Sequence, residues 1–207
     1  MRGHTRTALL VLLGSAAFAF GAGTASAQGN LQKFVINDDA AKKAMTHEEI
    51  SADTAEKITK VCLDFAAQNK IAVSVFILSP SGQIVVAHRM DGQNPINVQT
   101  ALWKAETALK THGSTHAAAN RYADDIVGEL TRVKFDAYWV SGGLPIVVDN
   151  VLIGSIGVGG SGLDEECANA GLTAVLGAQP PLAEKLPPRN GRGPAAGAPP
   201  AGAQAPR

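Results

Sequence analysis

The chain has 207 residues, of which 45% are apolar, 17% charged and 5% aromatic, a composition typical of a globular protein. Its formal net charge is zero, but residues 28–178 carry 12 basic and 17 acidic side chains, a net charge of −5. Because phosphate backbones are bound by clustered lysine and arginine, this charge argues against a nucleic-acid-binding domain.

The first 27 residues have the features of an export signal. Arg2 and Arg6 precede an apolar run over residues 8–20, and Ala25-Ser26-Ala27 matches an A-x-A cleavage site. The run is shorter than the ~20 residues that a membrane-spanning helix needs. The sequence therefore predicts a signal peptide over residues 1–27 and a mature chain that starts at Gln28. We expect this chain to be periplasmic or secreted and not an integral membrane protein.

A lead-in over residues 28–45 precedes the predicted folded domain, residues 46–178. Within the lead-in, residues 31–36 fit a short strand or an arm. Thr46-x-x-Glu49 matches a capping box, in which both side chains accept hydrogen bonds from free backbone N–H groups at a helix start. Apolar residues then recur at helical spacing up to Asn69. We therefore expect the first helix to begin at Thr46 and to end at Asn69.

The two cysteines, Cys62 and Cys167, lie far apart in the chain. In an exported protein they could form a disulfide. Free cysteines often pack as small buried hydrophobes, however, and we expect this unpaired arrangement on two core helices. The chain has no C-x-x-C motif, which excludes a thioredoxin-type site, a cysteine-rich zinc site and covalent c-type haem attachment.

The next segment has the pattern of a β-hairpin. Residues 71–78 form a nearly continuous apolar run rich in β-branched residues, which predicts a central strand. Ser79-Pro80-Ser81-Gly82 provides turn residues, and residues 83–90 are the predicted partner strand. A helix over about residues 96–110 follows.

A helix and a second hairpin complete the domain. Ser114 is the predicted N-cap of a helix that runs to residue 130. Residues 144–148 and 151–158 form a predicted hairpin across Asp149-Asn150, a two-residue link that suits a type I′ turn. A closing helix over residues 163–176 is followed by a glycine, Gly177, at the expected stop position.

The order of these elements predicts an α+β fold, because hairpins pair antiparallel. We expect an antiparallel sheet of about five strands with flanking helices. After residue 178 the composition changes, and residues 179–207 hold 8 of the 11 prolines among glycine and alanine. Such a segment has little to bury, so we expect a disordered tail.

Two patterns suggestive of nucleotide binding or catalysis lack their usual context. Gly157-x-Gly159-x-x-Gly162 matches a dinucleotide fingerprint, but the strand before it belongs to a hairpin and not to a βαβ unit. The glycines instead favour a loop over residues 157–162 and close helix–sheet packing. We expect Asp164-Glu165-Glu166 to form a solvated helix face. With no nucleophile and base in evidence, the residues alone do not specify an enzyme.

The histidines are the best candidates for binding a cofactor. His112 and His116 lie at a predicted helix junction interrupted by Gly113, where the backbone can move to admit a large planar ligand. Both are candidate metal ligands, and the simpler alternative is a pair of exposed histidines at a helix start. His88 is either a hydrogen-bonded core residue or an axial ligand in an apolar pocket. It has three apolar neighbours on its predicted strand face: Ile84, Val86 and Met90.

Several motifs follow one another in order along residues 48–177: Arg89-Met90-Asp91-Gly92, Lys104-Ala105-x-Thr107-Ala108, Gly142-Gly143-Leu144-Pro145-Ile146-Val147, Ile153-Gly154-x-Ile156-Gly157-Val158-x-Gly160 and Asp164-x-x-Cys167-Ala168-x-Ala170-Gly171-Leu172. With these motifs the chain resembles the GlcG/HbpS family. It departs from the family pattern at Asn94-Pro95-Ile96-Asn97, where a serine is expected near Asn97, and in a long polar segment over residues 112–132.

The resemblance implies a profilin/Roadblock-like α+β sandwich that assembles into homo-oligomers. Among the family branches, a signal peptide fits the secreted haem-binding proteins best. The resemblance therefore implies haem or a related tetrapyrrole as the ligand, haem handling or degradation as the activity, and a sensor or membrane protein as a partner. Two alternatives stay open. One is an enzyme or accessory protein for a small hydroxy acid in glycolate-type metabolism, and the other is a ligand-free oligomeric interaction module.

A haem site needs an axial ligand, an apolar slot and cations for the propionates. We predict that iron is ligated from the segment that contains His112 and His116, because His88 is expected to be locked in the sheet–helix core. Met90 is a weaker candidate ligand. Arg89 and Lys104 are candidates for contacting the propionates, and each has a structural role as its alternative.

Overall fold

The computed structural model describes residues 31–36, 38, 39, 47–122 and 125–185. The predicted signal peptide, Thr46 and residues 186–207 of the predicted tail lie outside this part of the chain. After a short 3₁₀ turn at Leu31–Lys33, the elements in chain order are α1 (Ala52–Gln68), β1 (Ser74–Leu78), β2 (Ile84–Arg89), α2 (Pro95–Thr111), α3 (Thr115–Arg121), α4 (Ile126–Lys134), β3 (Gly143–Val148), β4 (Val151–Gly159) and α5 (Asp164–Leu176).

The predicted α+β fold with an antiparallel sheet is confirmed. Both predicted hairpins form, and the sheet order is β2-β1-β4-β3 with every neighbouring pair antiparallel. In the described residues the sheet has four strands and not about five. The remaining candidate, residues 31–36, contributes the 3₁₀ turn and one isolated bridge between Val35 and Ile50.

Helices cover both faces of the sheet. In β1, Val75 and Ile77 belong to the large core that includes α1 and α5, while Phe76 and Leu78 pack with α2 on the other face, as alternation along a strand requires. Close packing of α2 depends on glycine, because a Cβ at Gly157 would lie 2.1 Å from the carbonyl oxygen of Ala101. The close helix–sheet packing expected of these glycines is confirmed. The predicted loop begins too early, since β4 continues to Gly159.

The expectation of unpaired cysteines is wrong. Cys62 on α1 and Cys167 on α5 are fully buried and form a disulfide, with their Cα atoms 4.7 Å apart. The two helices pack side by side beneath the same face of the sheet, which brings the two positions together. Chain separation alone could not reveal this neighbourhood.

The start of the first helix is also corrected. The helix begins at Ala52, and the hydroxyl of its N-cap Ser51 accepts a hydrogen bond from the backbone N–H of Thr54. Residues 47–50 are not helical, because the backbone N–H of Ile50 donates to the carbonyl oxygen of Ile153 and the Ile50 side chain is buried. Burial of this isoleucine against the sheet overrides the capping-box pattern. The predicted stop at Asn69 is confirmed.

The segment after α2 contains two helices where one was predicted. Ser114 caps α3 as expected, but α3 ends at Arg121. Asp125 then caps α4, since its Oδ1 accepts a hydrogen bond from the backbone N–H of Val127. The ring of Tyr122 stacks on Trp139, which holds the break between the helices against the loop before β3.

The remaining turn predictions are confirmed. Asp149 and Asn150, which join β3 to β4, have φ values of 50° and 63°, as a type I′ turn requires at both central positions. The closing helix α5 ends at Leu176, and the residue that follows it, Gly177, has a φ of 101°. In the described part of the chain, no helix combines the length and apolarity needed to cross a bilayer.

Candidate functional site

A cavity of about 480 Å³ lies at the β3 edge of the sheet. Residues from the α2–α3 junction, β3, α5 and the segment after α5 form its walls. Polar groups around it include His112, Ser114, Glu165, Asn169 and Asp149. Most of the remaining lining is apolar: Leu144, Pro145, Val147, Leu172, Pro180, Pro181, Leu182 and Ala183.

His112 reaches the cavity because the chain reverses at this residue. It is the C-cap of α2 and adopts a left-handed conformation with a φ of 52°. Two residues later, the Ser114 hydroxyl accepts hydrogen bonds from the backbone N–H groups of His116 and Ala117 and so starts α3. His112 is exposed at the cavity wall, as expected of a junction open to solvent.

Glu165 is the centre of a buried hydrogen-bond network at the inner end of the cavity. Its side chain accepts hydrogen bonds from the hydroxyls of Ser114 (2.5 Å) and Ser141 (2.8 Å). His116 Nδ1 lies 2.9 Å from Glu165 Oε2. Glu165 is only 1% exposed, and such burial of a carboxylate is tolerated because it has these partners.

The network corrects the expectation of a solvated acidic face. Both Asp164 and Glu165 are buried. The signal for Glu165 is present in the sequence, since it shares a helical face with Ala168 and Leu172 at the spacing of core residues. Ser141 and Asn169 give no comparable pattern, because only the folded arrangement of loop and helix brings them to the cavity.

Lys104 has a structural environment. It is 3% exposed, and its Nζ lies 2.7 Å from Asp164 Oδ2 and donates a 2.9 Å hydrogen bond to the carbonyl oxygen of Val158. This ion pair joins α2 to the start of α5. It favours the structural alternative for Lys104 over contact with a propionate, because the ammonium group is enclosed.

His88 lies at the opposite edge of the sheet from the cavity. It is exposed on β2, beside a shallow groove whose other side chains include Glu56, Lys60 and Asp64. The expectation that His88 is locked in the core is therefore wrong. Since β2 is an edge strand, the apolar residues on the same strand face as His88 do not enclose it.

The two residues next to His88 are also placed away from the cavity. Arg89 is exposed, and its Nε donates a hydrogen bond to the carbonyl oxygen of Gln93. Met90 packs against the large core, and its sulfur accepts a hydrogen bond from the backbone N–H of Val73. Neither side chain lines the cavity.

The segment after α5 contacts the domain along residues 179–185, which the sequence analysis assigned to a disordered tail. Leu182 packs against the large core. Asn120 Nδ2 donates a 2.8 Å hydrogen bond to the carbonyl oxygen of Glu184. Lys185 Nζ lies 2.5 Å from Glu166 Oε1 and donates to the carbonyl oxygen of Gly162. These contacts hold residues 179–183 as one wall of the cavity, and we call this wall the strap.

The geometry separates the two histidines of the predicted metal pair. His112 lines the cavity, whereas His116 contacts Glu165 behind it. No group of three or more His, Cys, Asp or Glu side chains suited to a bare metal ion occurs in the described residues. Iron already held in a macrocycle needs fewer protein ligands, so ligation of haem iron from this segment stays a prediction.

Comparison with known proteins relates the chain to haem proteins. The family model described as "Haem degrading protein HbpS-like" matches residues 50–173. A crystal structure of HbpS is 28% identical, with a TM-score of 0.58, and the match covers 65% of this chain and 94% of that chain. A double mutant of Streptomyces reticuli HbpS is 26% identical, with a TM-score of 0.57 and coverage of 63% and 90%.

A more distant structure shares the fold. The crystal structure of a PduOC:haem complex is 23% identical, with a TM-score of 0.56 over 61% of this chain and 95% of that chain. Among curated proteins, none matches the chain significantly.

Proposed function

Because the chain belongs to the HbpS-like family of haem-degrading proteins, we propose that it is an exported protein that binds haem in the cavity at the β3 edge. Family membership supports a haem-related function in general. The observation that carries the specific proposal is the cavity itself, an apolar space with one imidazole on its wall.

The residues present fit a haem. Of the three groups that a haem site uses, His112 supplies the axial ligand and the β3 and strap side chains supply the apolar slot. The lining supplies no cation for the propionates. The cavity volume of about 480 Å³ lies within the range of small-molecule and cofactor sites. When bound, haem would supply redox-active iron.

His112 is the proposed axial ligand, and His116 is proposed to position the wall. His116 Nδ1 is engaged by buried Glu165, which fixes the ring and, through Ser114, the start of α3. His112 directly precedes this anchored segment and faces the cavity. An exposed ligand next to a fixed helix start is proposed to adjust to a large planar group without unfolding the domain.

The propionates are expected to reach water. The cavity lining carries the carboxylates Asp149 and Glu165 and, among the described residues, no lysine or arginine. Arg89 and Lys104 lie elsewhere. A small hydroxy acid enclosed in the cavity would have its carboxylate beside those of Asp149 and Glu165 and no cation. The haem propionates are expected to extend into water instead, so the charge weakens the hydroxy-acid alternative more than the haem proposal.

Export is part of the proposal. It is supported by the signal-peptide pattern over residues 1–27 and by the Cys62–Cys167 disulfide, since disulfides persist mainly in oxidising compartments. Intact mass of the protein recovered outside the cytoplasm tests this part. We expect the chain to begin at Gln28, and retention of earlier residues would contradict it.

A haemin titration of the mature chain tests the site. We expect a saturable shift of the Soret band in the wild type and loss of that shift, with roughly tenfold or greater weakening of binding, in His112→Ala. His116→Ala should keep a shifted band. His88→Ala, at the far edge of the sheet, is the matched control and should behave as the wild type.

Three results would contradict the proposal. Absence of saturable haemin binding to the wild type would reject haem as the ligand. Loss of the shifted band in His88→Ala, with both other variants intact, would place the ligand at the β2 edge. Loss of the shifted band in His116→Ala alone would reverse the roles proposed for His112 and His116.

A further inference from the structure

The first turn of α5 carries three consecutive acidic residues whose partners differ. Asp164 Oδ2 lies 2.7 Å from Lys104 Nζ, and Glu166 Oε1 lies 2.5 Å from Lys185 Nζ. Each of these two carboxylates therefore has a cation beside it. Glu165, between them, has no lysine or arginine partner among the described residues, and it is the one that lines the cavity.

The contacts of Glu165 satisfy its oxygen atoms without cancelling its charge. Ser114 and Ser141 are neutral hydroxyl donors, and His116 carries a charge only when it is protonated. The helix dipole favours a carboxylate at the start of α5, which helps the buried Glu165 to be tolerated without a cation. Because Glu165 is buried at the inner end of the cavity, salt and water screen its charge weakly.

The rest of the cavity lining does not offset this charge. Asp149 adds a second carboxylate, and the lining holds no lysine or arginine within the described part of the chain. His112 is the other titratable lining residue. A histidine binds a metal through a neutral imidazole, so as an axial ligand His112 would bring no positive charge. The cavity is therefore negative and enclosed by apolar side chains, where charges interact strongly.

We propose that this negative lining makes the cavity selective for the ferric form of haem, with Glu165 as the selecting residue. Ferric iron leaves a net positive charge on the core of a porphyrin, whereas ferrous haem and zinc porphyrins have neutral cores. The core would lie in the cavity, and the propionates would extend into water. The inference rests on the proposed function and adds to it the charge state of the ligand.

The two charge states differ in free energy because binding removes water from the cavity. A neutral core would leave the Glu165 charge beside apolar surface without a counter-charge, which is costly. A positive core would supply that counter-charge where the local dielectric is low. The shape of the macrocycle contributes nothing to this discrimination, since both cores have the same ring.

Haemin and zinc protoporphyrin separate charge from shape, because they share the macrocycle and the propionates. At pH 7, Glu165→Gln removes the charge and keeps a hydrogen-bonding group. We expect it to weaken haemin binding to the mature chain roughly tenfold and to leave zinc protoporphyrin binding unchanged. Glu56→Gln, which removes an exposed carboxylate of the β2 groove, is the matched control and should change neither affinity.

The midpoint potential of bound haem gives a second measurement. If Glu165 stabilises the ferric core, potentiometric titration should show a higher potential in Glu165→Gln than in the wild type and no change in Glu56→Gln. Asp149→Asn should raise the potential less, because Asp149 is exposed and its charge is better screened. This variant decides the question if circular dichroism shows that Glu165→Gln is not folded.

Equal weakening of haemin and zinc protoporphyrin in Glu165→Gln would overturn the inference, because a purely structural role of Glu165 affects both ligands alike. Unchanged affinities and potential in the folded variants would do the same. Both outcomes would leave haem binding itself in place. A wild type that binds neither haemin nor zinc protoporphyrin would instead reject the proposed function, and the inference with it.

Discussion

The two edges of the sheet use the same residue type in different ways. At the β2 edge, His88 stands exposed beside charged side chains of α1. At the β3 edge, His112 faces an apolar cavity closed by α3, α5 and the strap, with His116 anchored to buried Glu165 behind it. The difference shows that packing around an edge, and not the neighbours along a strand, decides whether a histidine lines an apolar cavity.

The helices beneath the sheet extend this contrast. α1 contacts β2, and α5 contacts β3 and β4. The Cys62–Cys167 disulfide joins the two helices. The disulfide therefore links the helix that packs on the β2 edge to the helix that packs on the β3 edge. Removing the disulfide tests whether the stability of one edge depends on the other.

The largest expected effect is on stability, from the double variant Cys62→Ala/Cys167→Ala. Losing a crosslink that closes so long a loop is expected to lower the free energy of unfolding by about 4 kcal/mol, mainly because the unfolded chain gains freedom. Denaturant unfolding measures the loss. Haemin binding by the folded fraction should persist, since neither cysteine lines the cavity. A stability equal to that of the wild type would contradict the expected role of the bond.

The next largest expected effect is the stability lost when a side chain at the β3 edge is removed, compared with one at the β2 edge. Glu165→Ala leaves Ser114, Ser141 and His116 without their shared partner and is expected to cost about 3 kcal/mol of unfolding free energy. Glu165→Gln retains a hydrogen-bonding group at each position and should lose less.

Glu56→Ala provides the comparison at the other edge. Glu56 is an exposed residue of the β2 groove, and surface substitutions of this kind usually change stability by less than about 0.5 kcal/mol. Chemical denaturation of the three variants is the measurement. Equal losses in Glu165→Ala and Glu56→Ala would mean that the network does not hold the cavity.

Much of the fold is predictable from the sequence because its signals are local. The β-branched run before Ser79 and the Asp149-Asn150 link each specify a hairpin from neighbouring residues alone. The caps at Ser114 and Gly177 are local in the same sense. These elements are enough to give the α+β class, although tertiary contact at Ile50 moved one helix start.

The candidate site is predictable only in part. The helix junction at His112 follows from Gly113 and Ser114. Glu165 lies 49 residues from His116 along the chain, and the strap comes later still. Their meeting depends on how α5 and its extension pack against β3. The exposure of His88 depends on strand order, which places β2 at an edge and which no pattern within β2 encodes.

The smallest effect concerns the strap. Deleting residues 179–207 removes Leu182 from the core and the contacts of Glu184 and Lys185 with Asn120, Glu166 and Gly162. Burying one leucine side chain is worth about 1.5–3 kcal/mol, and an exposed ion pair adds less than about 1 kcal/mol. Because Leu182 is only partly buried, we expect the deletion to lower the free energy of unfolding by about 1–2 kcal/mol. Haemin affinity should also fall, because one cavity wall is absent.

Deleting only residues 186–207 is the matched control, since every described contact of the strap remains. Thermal unfolding and haemin titration of both truncations distinguish a wall from a dispensable tail. If the longer deletion keeps the wild-type melting temperature and haemin affinity, residues 179–185 do not build the cavity. The β3 edge would then be as open as the β2 edge, and packing by the strap would not explain the contrast between them.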